Sequence, residues 1–148
     1  MRRTTAFTYA LQSIRLGGSA DFGQLGRPDS LEAQPVLLAG QNIVLGACGL
    51  LHTLLVSGDG TVWGFGKAAG GRLGNGNDID DCHEPHPSFK SNKLPIKSIS
   101  AGSMHNCLVT SEGELFGWGY DSVGSILFIY DRVKSIVLII LIFYISIF

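Results

Sequence analysis

The sequence Trp-Gly-Phe-Gly at residues 63–66 returns as Phe-Gly-Trp-Gly at residues 116–119, a displacement of 53 positions. Successive side chains of a β-strand point to opposite faces, so both rings of each copy lie on one face and the glycines leave bare backbone on the other. A single sheet with such an apolar face is not stable in water and needs a similar sheet stacked against it. These tetrapeptides therefore predict repeated β-sheets that pack face to face.

The displacement of 53 also holds for the residues that precede each tetrapeptide. Gly-Leu-Leu-His-Thr at 49–53 becomes Gly-Ser-Met-His-Asn at 102–106, without a gap. Asp-Gly at 59–60 becomes Glu-Gly at 112–113. These dipeptides stand between β-prone runs and supply the positive φ angles that a tight turn needs, so each copy is predicted to contain a β-hairpin.

A further motif has a different period. Gly-Gln-Leu-Gly at 23–26 returns as Gly-Arg-Leu-Gly at 71–74, a displacement of 48. Length differences between repeats belong in loops, and we expect such a variable loop from Asn75 to Ser91.

Charge and cysteine content narrow the function classes. Twelve acidic and eleven basic residues leave a net charge of -1, so no strong field attracts nucleic acid, and we expect no direct nucleic-acid partner. Cys48, Cys82 and Cys107 are odd in number and far apart, which argues against a disulfide framework and favours a reducing compartment.

Candidate catalytic and metal-binding residues are few. Asp-Asp-Cys-His-Glu-Pro-His at 80–86 contains possible zinc ligands, but no second Cys or His pair accompanies it, and we interpret it as a solvated loop. His52 and His105 recur at one repeat position, whereas a catalytic residue is needed once, so we expect buried histidines hydrogen-bonded to nearby backbone. The chain has no Gly-x-Ser-x-Gly elbow and no phosphate-binding glycine loop. We therefore predict no catalytic, cofactor or metal residues, and no enzyme.

The repeated positions are instead predicted to be structural. They are Gly49, His52, Gly60, Trp63, Gly64, Gly66, Gly71, Leu73, Gly74, Gly102, His105, Gly113, Phe116, Gly117, Trp118 and Gly119.

The order of these motifs resembles the regulator-of-chromosome-condensation repeat. The resemblance covers residues 19–124, with one full period at 67–119 and partial periods on either side. It implies an all-β fold of four-stranded antiparallel blades, seven of which form a β-propeller in complete members, so this chain is predicted to be an incomplete propeller. Leu-Gly-Gly at 16–18 lacks the aromatic residue of the motif, and Gly-Ser-Ile-Leu at 124–127 departs from Gly-Gln-Leu-Gly.

The two ends do not match the repeat. Residues 1–18 are interpreted as a leader or a degraded first strand. Residues 1–20 are basic and rich in Ser and Thr, which offers a mitochondrial location as the alternative to a cytoplasmic or nuclear one. Residues 125–148 form an apolar tail, which we interpret as not native propeller sequence. Its uncharged part, 135–148, would reach about 21 Å as a helix, short of a hydrocarbon core of roughly 30 Å, so membrane insertion is not expected.

The sequence therefore predicts an interaction scaffold for a protein partner, as part of a longer propeller. The family resemblance implies one alternative, guanine-nucleotide exchange on a small GTPase. A second alternative, a membrane-tethered adaptor, depends on the apolar tail.

Overall fold

The computed structural model describes residues 8–10, 13–26, 34–35, 38, 40–76, 79–90 and 95–120. The regular structure of these residues consists of β-strands in three antiparallel sheets. The predicted all-β class and the antiparallel blades are thus confirmed. Three sheets are fewer than the seven that the resemblance implies, so the described part is an incomplete propeller.

Each sheet is a meander in which strands adjacent in sequence are hydrogen-bonded neighbours. Sheet 1 contains β1 (Thr8–Ala10), β2 (Ser13–Leu16) and β3 (Gln34–Pro35). Sheet 2 contains β4 (Ile43–Cys48), β5 (His52–Ser57), β6 (Thr61–Gly66) and β7 (Cys82–Lys90). Sheet 3 contains β8 (Ile96–Ala101), β9 (His105–Thr110) and β10 (Leu115–Gly119).

The two predicted hairpins are confirmed as β5–β6 and β9–β10. Their turns differ in detail from the expectation, because in the first turn only Gly60 has a positive φ, 83°. Asp59 instead accepts hydrogen bonds through Oδ1 from the Thr61 backbone N–H at 3.1 Å and from Ser57 Oγ at 2.6 Å. The carboxylate therefore closes the turn, and the glycine provides the one left-handed residue.

The rings of sheet 2 face sheet 1. Trp63 and Phe65 of β6 pack in one apolar cluster with Leu55 of β5, Leu16 of β2 and Leu25 of the loop that follows β2. Phe65, Leu16, Leu25 and Leu55 are fully buried. Burial of a side chain of this size contributes roughly 1.5–3 kcal/mol to folding, so this cluster joins the two sheets.

The rings of sheet 3 face sheet 2 in the same way. Phe116 and Trp118 pack against a cluster that contains Leu54 of β5 and Leu108 of β9. The Phe116 ring centroid lies 5.4 Å from that of Phe89 in β7. The prediction that both rings of each tetrapeptide share one strand face is confirmed, and each ring-bearing face is directed toward the preceding sheet.

Most of the predicted variable loop is a strand. Residues 82–90 form β7, so the expectation of a loop from Asn75 to Ser91 is wrong over this range. Pro85 and Pro87 are compatible with an edge strand, where the missing N–H groups need no partner. The pairing of β7 with β6 also shifts register at two places, as bulged edge strands do.

The predictions for the ends lie largely outside the described residues. Residues 1–7 and 121–148, which include the apolar tail, are not described. Within the ranges that are described, no helix is long and apolar enough to cross a membrane.

Gly66 tests the close contact at the end of β6. Its φ is 108°, and an added Cβ would lie 2.5 Å from the Leu51 carbonyl oxygen and 2.7 Å from the His52 Cα. Gly66→Ala should therefore lower the free energy of unfolding by about 3 kcal/mol or more, measured by urea titration followed by tryptophan fluorescence.

Gly76→Ala is the matched control. Gly76 also has a positive φ, 78°, but no heavy atom lies within 4 Å of its added Cβ. Gly76→Ala should lower the free energy of unfolding by only roughly 1–2 kcal/mol, which is the cost of a residue with a side chain in the left-handed backbone conformation. Equal losses for the two variants would contradict the close contact at Gly66.

Candidate functional site

The carbonyl oxygen of Arg72 receives two side-chain hydrogen bonds from sheet 3. Asn106 Nδ2 donates at 2.6 Å and Trp118 Nε1 donates at 3.1 Å. Arg72 lies in the Gly-Arg-Leu-Gly loop that follows β6, so these bonds hold a loop of sheet 2 on the next sheet. Asn106 is fully buried, where such bonds are costly to lose.

Asn106 also connects to sheet 2 through its other amide atom. Asn106 Oδ1 lies 2.6 Å from His52 Nε2. Because Nδ2 of this amide already donates to Arg72, Oδ1 is the acceptor, and His52 Nε2 must carry the hydrogen. The expectation that His52 binds nearby backbone is therefore wrong: its partner is a side chain of the next sheet.

The same contact occurs one repeat earlier with different residue types. Thr53, 53 positions before Asn106, donates through Oγ1 to the carbonyl oxygen of Gln24 at 2.8 Å. Gln24 occupies the position of Arg72 in the Gly-x-Leu-Gly motif, 48 positions earlier. We call this bond, from the residue after the repeated histidine to the motif carbonyl, the inter-sheet contact.

The Arg72 side chain adds further bonds beside the inter-sheet contact. Its Nε donates to the Ala69 carbonyl at 2.7 Å, and its Nη1 donates to the Ser103 carbonyl at 3.3 Å. Ser103 lies in the turn between β8 and β9. With 2 % of its surface exposed, Arg72 thus joins its own loop to a turn of sheet 3.

The last glycine of each Gly-x-Leu-Gly motif faces an aromatic ring of the next sheet. An added Cβ at Gly26 would lie 3.1 Å from Phe65 Cε2, and one at Gly74 would lie 2.8 Å from Trp118 Nε1. A side chain at either position would push the ring out of the cluster. The motif therefore ends in glycine because the ring of the following sheet occupies the space.

His52 is held in its neutral form. Its pKa is lowered from 6.5 to about 4, chiefly by burial; the hydrogen bond to Asn106 raises the pKa, and the charges of Arg72 and His105 make smaller contributions that lower it. The imidazole has no exposed surface. A neutral, sealed side chain between two sheets acts as a structural hydrogen-bond donor.

The possible zinc ligands at 80–86 are spread along an edge strand. Cys82 to His86 lie in β7 and not in a loop, and His83, Glu84 and His86 of this edge strand are exposed. Cys82 Sγ accepts a bond from Asn75 Nδ2 at 3.6 Å, and burial raises the pKa of its thiol. In the part of the chain that is described, no three His, Cys, Asp or Glu side chains come together as a metal site.

The predicted repeat positions fall into corresponding places in sheets 2 and 3. They occupy the turns before β5 and β9 (Gly49, Gly102), the first residues of those strands (His52, His105), the hairpin turns (Gly60, Gly113), the last strands (Trp63, Gly64, Gly66, Phe116, Gly117, Trp118, Gly119) and the loop after β6 (Gly71, Leu73, Gly74). Their structural role stays a prediction.

Sequence reasoning missed the residues that make the inter-sheet contact. Thr53, Asn106, Gln24 and Arg72 stand within the repeated motifs, but their residue types differ between copies. The sequence indicated these residues by position: Thr53 and Asn106 keep the displacement of 53, Gln24 and Arg72 keep the displacement of 48, and all four are polar.

Loss of the inter-sheet contact should be costly at Asn106. Asn106→Ala leaves the His52 N–H buried without an acceptor and removes one donor from Arg72, so we expect the free energy of unfolding to fall by about 2–3 kcal/mol in urea titrations. Thr53→Ala removes one bond and should cost about 1 kcal/mol. A larger loss for Thr53→Ala would contradict the two-sided role of Asn106.

The buried His52 should make stability fall in acid. Between pH 6.5 and about 4 the unfolded chain binds a proton at His52 that the folded chain does not, so this stability is complete above pH 6.5 and is lost on the way to pH 4. The difference between the two pKa values corresponds to roughly 3 kcal/mol. Urea titrations across this pH range should show it.

His52→Gln is the control for that measurement. The Gln amide keeps a neutral donor for Asn106 and does not titrate, so the variant should lose less stability between the two pH values. Identical slopes for the two proteins would show that His52 is not the titrating group.

Two family models match this chain. Both describe the regulator of chromosome condensation (RCC1) repeat, one over residues 59–109 and one over residues 96–125.

Curated relatives are similar over most of the chain but are much longer. The ultraviolet-B receptor UVR8 of Arabidopsis thaliana is 33% identical over 127 residues, which cover 83% of this chain and 29% of the receptor. The X-linked retinitis pigmentosa GTPase regulator homolog of Caenorhabditis elegans is 37% identical over 56% of this chain and 6% of its own length. The mitochondrial RCC1 domain-containing protein RUG3 of Arabidopsis thaliana is 37% identical over 54% of this chain and 18% of its own length. The chain thus spans less than a third of each of these relatives.

Solved structures share the fold. Human WBSCR16 superimposes with a TM-score of 0.69 at 21% identity, over 85% of this chain and 34% of that protein. Yeast RCC1 (Prp20), bound to Kap60, superimposes with a TM-score of 0.70 at 20% identity, over 83% of this chain and 29% of that protein. Repeat models, relatives and fold agree with one another, and the chain belongs to the regulator of chromosome condensation (RCC1) repeat family.

Proposed function

We propose that this chain is part of a repeat-based interaction scaffold, in which rigid stacked sheets present the loop at residues 75–81 to a protein partner. The observation that carries this proposal is the inter-sheet contact at Arg72. It fixes the segment just before the loop to sheet 3, and loops held by a rigid scaffold commonly bind partners.

The loop is also anchored where it returns to sheet 2. The Ala68 N–H donates to Asp81 Oδ1 at 3.0 Å, and Asn75 Nδ2 donates to Cys82 Sγ. Between these anchors Asp80 is exposed and Ile79 has 85 % of its surface exposed. An apolar side chain next to a carboxylate on an anchored loop is suited to a protein partner with a small apolar pocket and a basic rim.

The proposal is tested by affinity capture with two variants of the full chain, each of which replaces an exposed aliphatic side chain by Thr. Ile79→Thr changes the loop, whereas Val44→Thr changes an apolar side chain of β4 that is 42 % exposed. Proteins captured by the unmodified chain should be reduced severalfold by Ile79→Thr and unchanged by Val44→Thr. Equal recovery with both variants would remove the loop from the proposed surface.

A second candidate is guanine-nucleotide exchange on a small GTPase. The name of the Caenorhabditis elegans relative, a GTPase regulator homolog, favours it, and no residue of this chain is assigned to it. Accelerated release of a fluorescent nucleotide from small GTPases by the chain would support exchange. Unchanged nucleotide release across a panel of GTPases would exclude exchange activity and leave the interaction scaffold as the proposed function.

The domain division and the compartment are also proposals. Residues 19–124 would form the repeat unit. A leader or degraded strand at 1–18 would precede it, and an apolar tail that is not propeller sequence would follow at 125–148. If this tail binds a membrane, the protein would be a membrane-tethered adaptor, which is the third candidate function. Thermal unfolding of residues 1–134 by circular dichroism tests the division, since loss of the transition would show that the tail is needed. The mitochondrial relative supports residues 1–20 as a mitochondrial leader. The other proposed location is cytoplasmic or nuclear. An import assay with isolated mitochondria would distinguish between these two locations.

A further inference from the structure

We propose that Asn75 is a site of spontaneous deamidation and isomerisation, which slowly changes the loop between β6 and β7. Asn75 is followed by Gly76, and no other asparagine of the chain precedes a glycine. Asparagine is one of the chemically labile residues of proteins, and its lability depends on the residue that follows.

The reaction needs only the chain itself and water. The backbone nitrogen of Gly76 attacks Cγ of Asn75, the new C–N bond closes a five-membered succinimide, and the side-chain nitrogen leaves as ammonia with the proton from the Gly76 amide. Water then adds to one of the two imide carbonyls and breaks one C–N bond. Opening on one side gives aspartate, and opening on the other gives isoaspartate, in which Cβ has become part of the main chain.

The structure leaves room for this ring closure. Gly76 is exposed, has a φ of 78°, and has no heavy atom within 4 Å of the position that a Cβ would take. The attacking nitrogen therefore belongs to a residue without a side chain and with open space around it, where the backbone rearranges at little steric cost. The Asn75 side chain is half-buried, and its Nδ2 donates to Cys82 Sγ at 3.6 Å.

Two other asparagines show what blocks the reaction. Asn42 is exposed but precedes Ile43, whose branched Cβ crowds the attacking nitrogen. Asn106 is fully buried within β9, and both of its amide atoms are engaged, one by His52 and one by Arg72. Among the three asparagines that the structure describes, conversion is therefore expected to concentrate at Asn75.

The product changes the loop in two ways. A carboxylate replaces the Nδ2 donor beside Cys82 and adds negative charge close to Asp80 and Asp81. Isoaspartate also lengthens the main chain immediately after Gly74, whose Cα faces the Trp118 ring. The loop at 75–81 is thus altered, while the inter-sheet contact at Arg72 lies before the modified bond.

The test incubates the folded full chain at neutral and mildly alkaline pH and follows each asparagine by peptide mass spectrometry. Isoaspartate is detected by transfer of a labelled methyl group from S-adenosylmethionine by an isoaspartyl methyltransferase. The converted fraction at Asn75 should exceed that at Asn42 and Asn106 at every time point and should rise with pH. Asn75→Gln should remove most of the methyl acceptance, because its ring closure is slower.

Two results would overturn the proposal. One is equal conversion at Asn75 and Asn42 in the folded chain. The other is an intact Asn75 in the folded chain that converts readily once the chain is unfolded in urea, which would show that the native loop prevents ring closure.

Discussion

The stacking of this chain depends on one backbone acceptor, the carbonyl oxygen of Arg72, which takes hydrogen bonds from Asn106 and Trp118. A loop carbonyl left without partners between two apolar sheets would cost more than a neutral bond contributes. The two donors come from different strands of sheet 3, so they fix both the position and the rotation of that sheet. The ring clusters supply most of the attraction between the sheets, but apolar packing is non-directional and does not set this register by itself.

The two junctions between sheets share this plan and differ in strength. Thr53 has one hydroxyl, which donates to the Gln24 carbonyl and also lies 3.9 Å from Cys48 Sγ of its own sheet, whereas Asn106 has two amide atoms and bonds to both His52 and Arg72. The second junction therefore includes a side chain from each sheet and a loop carbonyl in one buried network. His52 is neutral in this network, but its buried Nδ1 has no hydrogen-bond partner among the described residues, so the network is not fully satisfied.

Sequence reasoning succeeded where a residue type was itself repeated. The alternation of rings and glycines in residues 63–66 predicted which face of β6 packs against another sheet. Side chains two residues apart lie on the same face of a strand, so one orientation of β6 buries both large rings. It failed for residues 82–90, because the difference in repeat length predicted a loop there, whereas they form the edge strand β7, in which Pro85 and Pro87 are tolerated. It also failed for the inter-sheet contact: Thr53 and Asn106 perform one role with different chemistry, and only the three-dimensional position shows that their acceptors are equivalent. The predictions for residues 121–148 lie outside the described part of the chain.

The two prolines of β7 have a consequence for the outer rim of sheet 2. This nine-residue strand ends the sheet, and a strand in that place usually offers a row of N–H and C=O groups to any extended chain that approaches. Pro85 and Pro87 each remove an N–H donor from this strand, and the bulged pairing with β6 twists the remainder. A foreign strand finds an interrupted ladder there, which protects the molecule against growth of the sheet into an intermolecular aggregate.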